Sequence, residues 1–385
     1  MCRSHFKYLV FILLFQLQSL AFELKPFVTA PSTSEQIQIG LRGLFQNNIN
    51  DAQLSELTTK SLQFQSFVYQ TLNQQIAQNR NIEVHATEKT MGGNFVKETT
   101  VRFKSLIQRP SPHAANEVVA RIYEPSVQRR FCEYQYPTTI LLHHILNQVP
   151  MIEDVGKVMA SGVLGQPAIV VVLHMPHYGD RRQGEEDFLT TDADDFKMNM
   201  AQLILDVHML KNYLATKKNV DPSRVSLSGI SLGAVVGLTV GAFDQSFASY
   251  GSLVGGADMA NILINRARRS PESEVGMILQ KVKLNEDQLR ANLAPIDAMT
   301  WAHRYQSKKF FFISAQRDDI VDYDQSVKPF VSQLESQHNQ LQKIINDDGH
   351  SPSGSAIKKL KEVFLPLLQF VVSGAPTMEV VCPTN

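Results

Sequence analysis

The sequence predicts an α/β fold, a mostly parallel sheet covered by helices on both faces, and three observations carry that reading. Eight short segments rich in β-branched and aromatic residues follow one another from residue 98 onward. The later ones are continuous apolar runs, as strands buried on both faces must be. Helical patterns over 196 to 216, 232 to 245 and 354 to 372 separate several of them. Such alternation implies right-handed strand–helix–strand crossovers, and in the resulting sheets chemistry gathers at the carboxyl ends of the strands. With 385 residues, 43% hydrophobic, the chain is long enough for a full-sized core. Its 37 basic and 37 acidic side chains cancel, so no global field recruits nucleic acid.

At the start, Arg3 and Lys7 precede an apolar run from Tyr8 to Phe15, and Ser19-Leu20-Ala21 places small residues before Phe22. This predicts a signal peptide over 1 to 21, cleaved near Ala21, and export to a periplasmic or secreted location. The run falls short of the ~20 residues a bilayer needs, Gln16 and Gln18 interrupt it, and no later run spans one, so no stable membrane span is expected in the mature chain. Cleavage would remove Cys2 and leave Cys132 and Cys382, which a single disulfide could join in an oxidising compartment. Three cysteines cannot supply a four-cysteine zinc site. Residues 22 to 97 read as a helical extension. They are glutamine-rich, with Leu54, Leu57, Leu62, Phe64, Phe67, Val68, Leu72 and Ile76 at helical spacing.

The main domain spans 98 to 373. Its expected strands are 98–107, 117–123, 138–143, 168–173, 224–228, 248–254, 309–314 and 341–346. Between the sixth and seventh the alternation stops, and residues 257 to 299, with Met259, Ile262, Leu263, Ile264, Met277, Ile278 and Leu279, read as a helical lid insertion. The C-terminal helix buries Ile357, Leu360, Phe364, Leu367 and Leu368, exposes Lys358, Lys359 and Lys361, and is expected to kink at Pro366. Residues 374 to 385 form a tail.

Gly229-Ile230-Ser231-Leu232-Gly233 stands between a strand and a helical run. A strand turning sharply into a helix holds its central serine in a strained conformation, and side chains at the flanking glycine positions would collide. A serine hydroxyl needs a base, and the base a carboxylate. Asp318 and Asp319 follow the seventh expected strand, and Gly349-His350 follows the eighth. Backbone donors for a developing oxyanion would come from Leu232 and from the loop Leu142-His143-His144-Ile145.

On these motifs, over about residues 98 to 373, the chain resembles the α/β-hydrolase family, and in particular its exported serine esterases and lipases. The resemblance implies Ser231 as nucleophile, His350 as base and Asp318 as acid, because Ala315-x-x-Asp318 with Ile320-Val321 matches the family pattern, with Asp319 and then Asp322 as rivals. It implies oxyanion donors at Leu232 and at His144 or Ile145. Pro176-His177-Tyr178-Gly179 and Asp297-Ala298-Met299-Thr300-Trp301-Ala302 also resemble family segments, the latter closing the lid.

The function so implied is hydrolysis of a small-molecule carboxylic ester through an acyl-enzyme, with no cofactor. The alternatives are a peptidase or amidase of the same fold, or a catalytically silent ligand-binding relative. His143, His144, His174 and His177 invite a metal reading, but no carboxylate or cysteine accompanies them at ligand spacing, so they read as pocket-lining or satisfied histidines and no metal is expected. Arg266, Arg268 and Arg269 read as a solvated helix face. Activity should rise with pH near ~6.5, the unperturbed histidine value. The sequence sets no oligomeric state.

Overall fold

The computed structural model of the chain describes residues 17–78, 81–90, 96–110, 112–126, 133–144, 149–184, 186–190, 192–272, 276–277, 286–347, 349–350, 360–372 and 380–381. Cys2, Cys132, Cys382 and Ile145 lie outside them, as do residues 1–16 of the expected signal and all of the tail but 380–381. The elements in order are β1 (Leu17–Glu23), α1 (Ser34–Leu44), α2 (Asp51–Ala77), β2 (Asn81–Thr90), β3 (Val96–Lys104), β4 (Glu117–Pro125), β5 (Glu133–Tyr134), β6 (Tyr136–Leu142), α3 (Val149–Ala160), β7 (Ile169–His174), α4 (Ala193–Leu214) and β8 (Val220–Ile230). There follow α5 (Leu232–Phe243), β9 (Ser249–Leu253), α6 (Met259–Arg269), α7 (Glu286–Leu293), α8 (Ala298–Trp301), β10 (Lys309–Ala315), α9 (Lys328–Ser336), β11 (Gln340–Asn346), α10 (Leu365–Val372) and β12 (Val380–Val381).

One ten-stranded sheet runs β1-β2-β3-β4-β7-β6-β8-β9-β10-β11, and β12 pairs separately with β5. The pairs from β7 through β11 are parallel, and those from β1 through β4 onto β7 are antiparallel. The sheet therefore has ten strands, not the eight expected. Of the two additions, β2 comes from the segment read as a helical extension, which is thus part helix and part strand, whereas β1 comes mostly from the segment read as the signal peptide. Among the described side chains of β2, Ile82, Val84 and Ala86 are the buried ones. That period-two pattern of small and mid-sized residues among polar ones belongs to a strand with one wet face, and it is weak beside the continuous runs of the sheet centre. Those runs behave as their composition dictates, since every residue of β6 and β7 is buried. β11 is the exception among the later strands, because it is an edge and its residues are mostly exposed. The helix α3 has no counterpart among the sequence expectations.

The glutamines of the extension have local work. Thr33 and Gln36, and again Asn50 and Gln53, form reciprocal capping boxes at the starts of α1 and α2. α2 buries Leu54, Leu57, Phe64, Val68 and Leu72 on one face. α1 lies backbone to backbone on α8: a Cβ at Gly40 would overlap the Thr300 carbonyl oxygen. Arg304 donates to the Ala30 carbonyl at 2.9 Å and to the Tyr69 hydroxyl, with its guanidinium 5.0 Å over the Phe243 ring. The extension is thus fastened to the segment that ends the insertion. Cleavage after Ala21 would take away residues 17–21 of β1 and leave Phe22, whose buried ring packs against Phe103 and Tyr213.

The described part of the insertion is helical, and its two ends are tied at the base. The buried Asp297 carboxylate accepts from the N–H groups of Asp258 (3.2 Å), Met259 (2.5 Å) and Met299 (2.8 Å). Of the C-terminal helix, residues 351–359 lie outside the described ones. The remainder is a π-helical turn over Leu360–Phe364 that runs directly into α10, with Pro366 just past the junction, where its missing N–H leaves the bond to the preceding turn unmade. Leu367 and Leu368 are buried as expected. No helix among the described residues is long and apolar enough to cross a membrane.

Candidate active site

β8 delivers Ser231 at its carboxyl end and α5 begins immediately after. Ser231 sits at φ 50°, ψ −117°, a region that costs a non-glycine residue on the order of 1–3 kcal/mol unless its surroundings over-determine it. They do so here. Its N–H donates to the Leu253 carbonyl at 2.8 Å, and its own carbonyl accepts from the N–H groups of Ala234 (2.9 Å) and Val235 (3.0 Å). The flanking glycines are needed for different contacts. A Cβ at Gly229 would overlap the Gly233 backbone, whereas one at Gly233 would overlap the carbonyl oxygens of Leu142 and His143. The second glycine therefore sets how closely the helix start approaches the loop after β6.

The three residues expected to act together meet, although the sequence separates them widely. Ser231 Oγ lies 2.8 Å from His350 Nε2. His350 Nδ1 lies 2.8 Å from Asp318 Oδ2 and 3.0 Å from Oδ1. A carboxylate can only accept, so Nδ1 carries a proton and the serine hydroxyl donates to Nε2. Asp318 is buried, and its Oδ1 also accepts from the N–H groups of Ile320 (2.9 Å) and Val321 (2.8 Å), so a tight turn after β10 aims it. Asp319 turns away and pairs with Arg269 at 2.9 Å, one of the arginines expected to be merely solvated. Asp322 accepts from the Gln325 N–H and caps the turn before α9.

Leu232 is the first residue of α5, where the N–H has no intrahelical acceptor. Across from it, burial pushes His143 down to about 3, so its ring is neutral. The Met175 N–H donates to His143 Nε2 at 3.2 Å, which leaves the proton on Nδ1 to donate to the His144 carbonyl at 2.8 Å. His143 thus braces the loop that carries His144. His174 is likewise engaged at both nitrogens: Nδ1 accepts from the Asp180 N–H at 3.1 Å and Nε2 donates to Glu153 at 3.0 Å. The turn after β7 is held by a fully buried ion pair, Arg181 with Asp206 at 2.8 Å, whose Oδ1 accepts from Ser105 at 2.6 Å. Sequence reading did not single out this pair. Its members lie on a turn and on a helix, and no local spacing links them.

Two solved structures share this architecture. Acetyl xylan esterase 1 from Thermoanaerobacterium sp. JW/SL YS485 is 16% identical, with a TM-score of 0.53, over 79% of this chain and 93% of that one. An acetyl xylan esterase from Paenibacillus sp. R4 is 12% identical, with a TM-score of 0.55, over 79% of this chain and 94% of that one. The chain has the α/β-hydrolase fold. Within it, residues 193–373, from α4 to the C-terminal helix, match the model of the prolyl oligopeptidase family. No curated protein sequence matches the chain.

Proposed function

We propose that this chain is a serine hydrolase that cleaves carboxylic esters. The hydrogen-bonded chain from Ser231 through His350 to Asp318 carries the reading. His350 Nε2 takes the hydroxyl proton as Ser231 Oγ bonds to the acyl carbon, and the same proton passes to the departing alkoxide as the ester bond breaks. Water, deprotonated by His350, then releases the acid and restores the serine. Asp318 stays ionised throughout, holding the ring and stabilising the imidazolium. The Leu232 N–H, with a second donor from His144 or Ile145, binds the oxyanion. Esters lead because the two solved structures named above bear esterase names, and the apolar insertion suits neutral, moderately hydrophobic substrates.

A fluorophosphonate probe should label the wild-type chain once and leave Ser231→Ala untouched, and kcat on a short p-nitrophenyl ester should fall on the order of 10⁶-fold in that variant. A chain that is never labelled would be the silent ligand-binding relative instead. The match to the prolyl oligopeptidase model favours a second reading, a peptidase or amidase using the same three residues. Faster turnover of peptide anilides than of the ester would select it. We also propose export, on the basic start and apolar run of residues 3 to 15. A secreted or periplasmic product whose first residue is Phe22 is the expected outcome of N-terminal sequencing.

A further inference from the structure

We propose that His113, His177 and Glu186 form a zinc-binding site on loops that do not carry Ser231, Asp318 or His350. His113 precedes β4, His177 lies in the turn after β7, and Glu186 lies in the segment leading to α4. Glu186 Oε2 is 2.6 Å from His113 Nε2 and 3.2 Å from His177 Nδ1, and one ligand atom from each residue falls within 4.8 Å of the others. A tetrahedral zinc ion with bonds of about 2.0–2.2 Å holds its ligands roughly 3.3 Å apart, so only small shifts are needed.

The state of His177 points to a cation. Asn199 Nδ2 donates to the Phe188 carbonyl at 2.9 Å, so the amide oxygen faces His177 Nε2, 3.0 Å away, and must accept from it. Nε2 therefore carries the proton and Nδ1 a lone pair. The ring is 3% exposed, and Nδ1 is buried without a hydrogen-bond partner. Its lone pair confronts a carboxylate oxygen, a repulsion that a bound cation would convert into two bonds. The Asn199 contact is the kind of outer contact that orients a metal-binding imidazole.

His113 sets the cost. Its Nδ1 accepts from the Ala115 N–H at 3.1 Å, so without metal Nε2–H donates to Glu186. Zinc at Nε2 moves that proton to Nδ1, with no net release, and exchanges one long backbone contact and one side-chain bond for metal bonds. Asp187, held on its Oδ1 by the Tyr178 hydroxyl at 2.6 Å and the Leu189 N–H, is not among the groups that converge, so the fourth position falls to water. His143 and His174, bonded at both nitrogens, are not ligands. The ion would staple three loops together on the rim where β7 ends.

The test uses the full chain freed of metal with a chelator, then titrated with zinc sulfate by calorimetry and metal analysis. One zinc per chain is expected, together with a raised melting temperature. Glu186→Gln, at a half-exposed position that does not threaten folding, and His113→Ala should each weaken binding at least tenfold and abolish the thermal shift. Cobalt(II) in place of zinc should give a tetrahedral visible spectrum in the wild type only. Absence of stoichiometric zinc, or binding equally tight in Glu186→Gln and His113→Ala, would overturn the proposal.

Discussion

Between Asp318, Asp319 and Asp322 the chemistry of the side chain is identical, and only direction distinguishes them. Asp318 is turned inward by two backbone N–H groups onto His350, while Asp319 reaches Arg269 on the insertion. Asp318→Asn should therefore lower kcat on the order of 10⁴-fold, because the amide favours the wrong imidazole tautomer. Asp319→Asn breaks an ion pair whose members are both about half exposed, worth at most ~1 kcal/mol, and should change kcat by no more than about threefold. Steady-state kinetics on the two variants separates them, and equal losses would contradict the assignment. Ser231 and His350 could be picked out in the sequence because glycines and strand ends mark them. Asp318 could be preferred only by analogy, since three carboxylates within five residues share those marks.

The extension's docking rests on one close approach. Gly40 has no room for a methyl group against the Thr300 carbonyl of α8, whereas a Cβ at Gly43, one turn on, would meet only the Met299 side chain at ordinary contact distance, 3.6 Å. Gly43→Ala should raise stability by about 0.5–1 kcal/mol through helix propensity alone. Gly40→Ala should lower it by about 1–3 kcal/mol through overpacking. Urea unfolding of both variants checks the pair, and a stabilised Gly40→Ala would mean that α1 does not sit on α8. At this scale the apolar strands and the long helices were legible, with α4 observed over Ala193–Leu214 against an expected 196 to 216. β2 and α3 were not. A half-wet strand such as β2 carries few apolar residues, and its partners in space hold it in place, whereas α3 does present an apolar stripe of Val149, Ile152 and Met159 that lies outside the expected helical patterns.

Across the whole molecule, burial of neutral histidines makes stability depend on pH. His143 is lowered to about 3 and His303 to about 4, in both cases by desolvation first. The unfolded chain, with histidine near 6.5, binds more protons than the folded one between about pH 6.5 and 4, so stability present above that window is lost as pH falls through it. Asp297 opposes them: burial, and then Asp258, raise it to about 6, so between about pH 4 and 6 the folded state binds the extra proton and gains stability on acidification. With His177, which burial also lowers to about 4, three histidines stand against Asp297 and the buried Asp206, both raised by desolvation, and thermal midpoints measured from pH 7.5 to 4.5 should fall. Asp297→Asn removes one opposing group, so its decline should be steeper than the wild type's, and a shallower one would refute the assignment. The sequence by itself determined the α/β order, the serine elbow and the approximate strand ends, because periodicity and glycine placement act within a few residues. Only the tertiary structure decided which aspartate faces His350, that two extra strands widen the sheet, and that His177 meets His113 and Glu186. Those are meetings of side chains from distant segments, fixed by packing that no local pattern records.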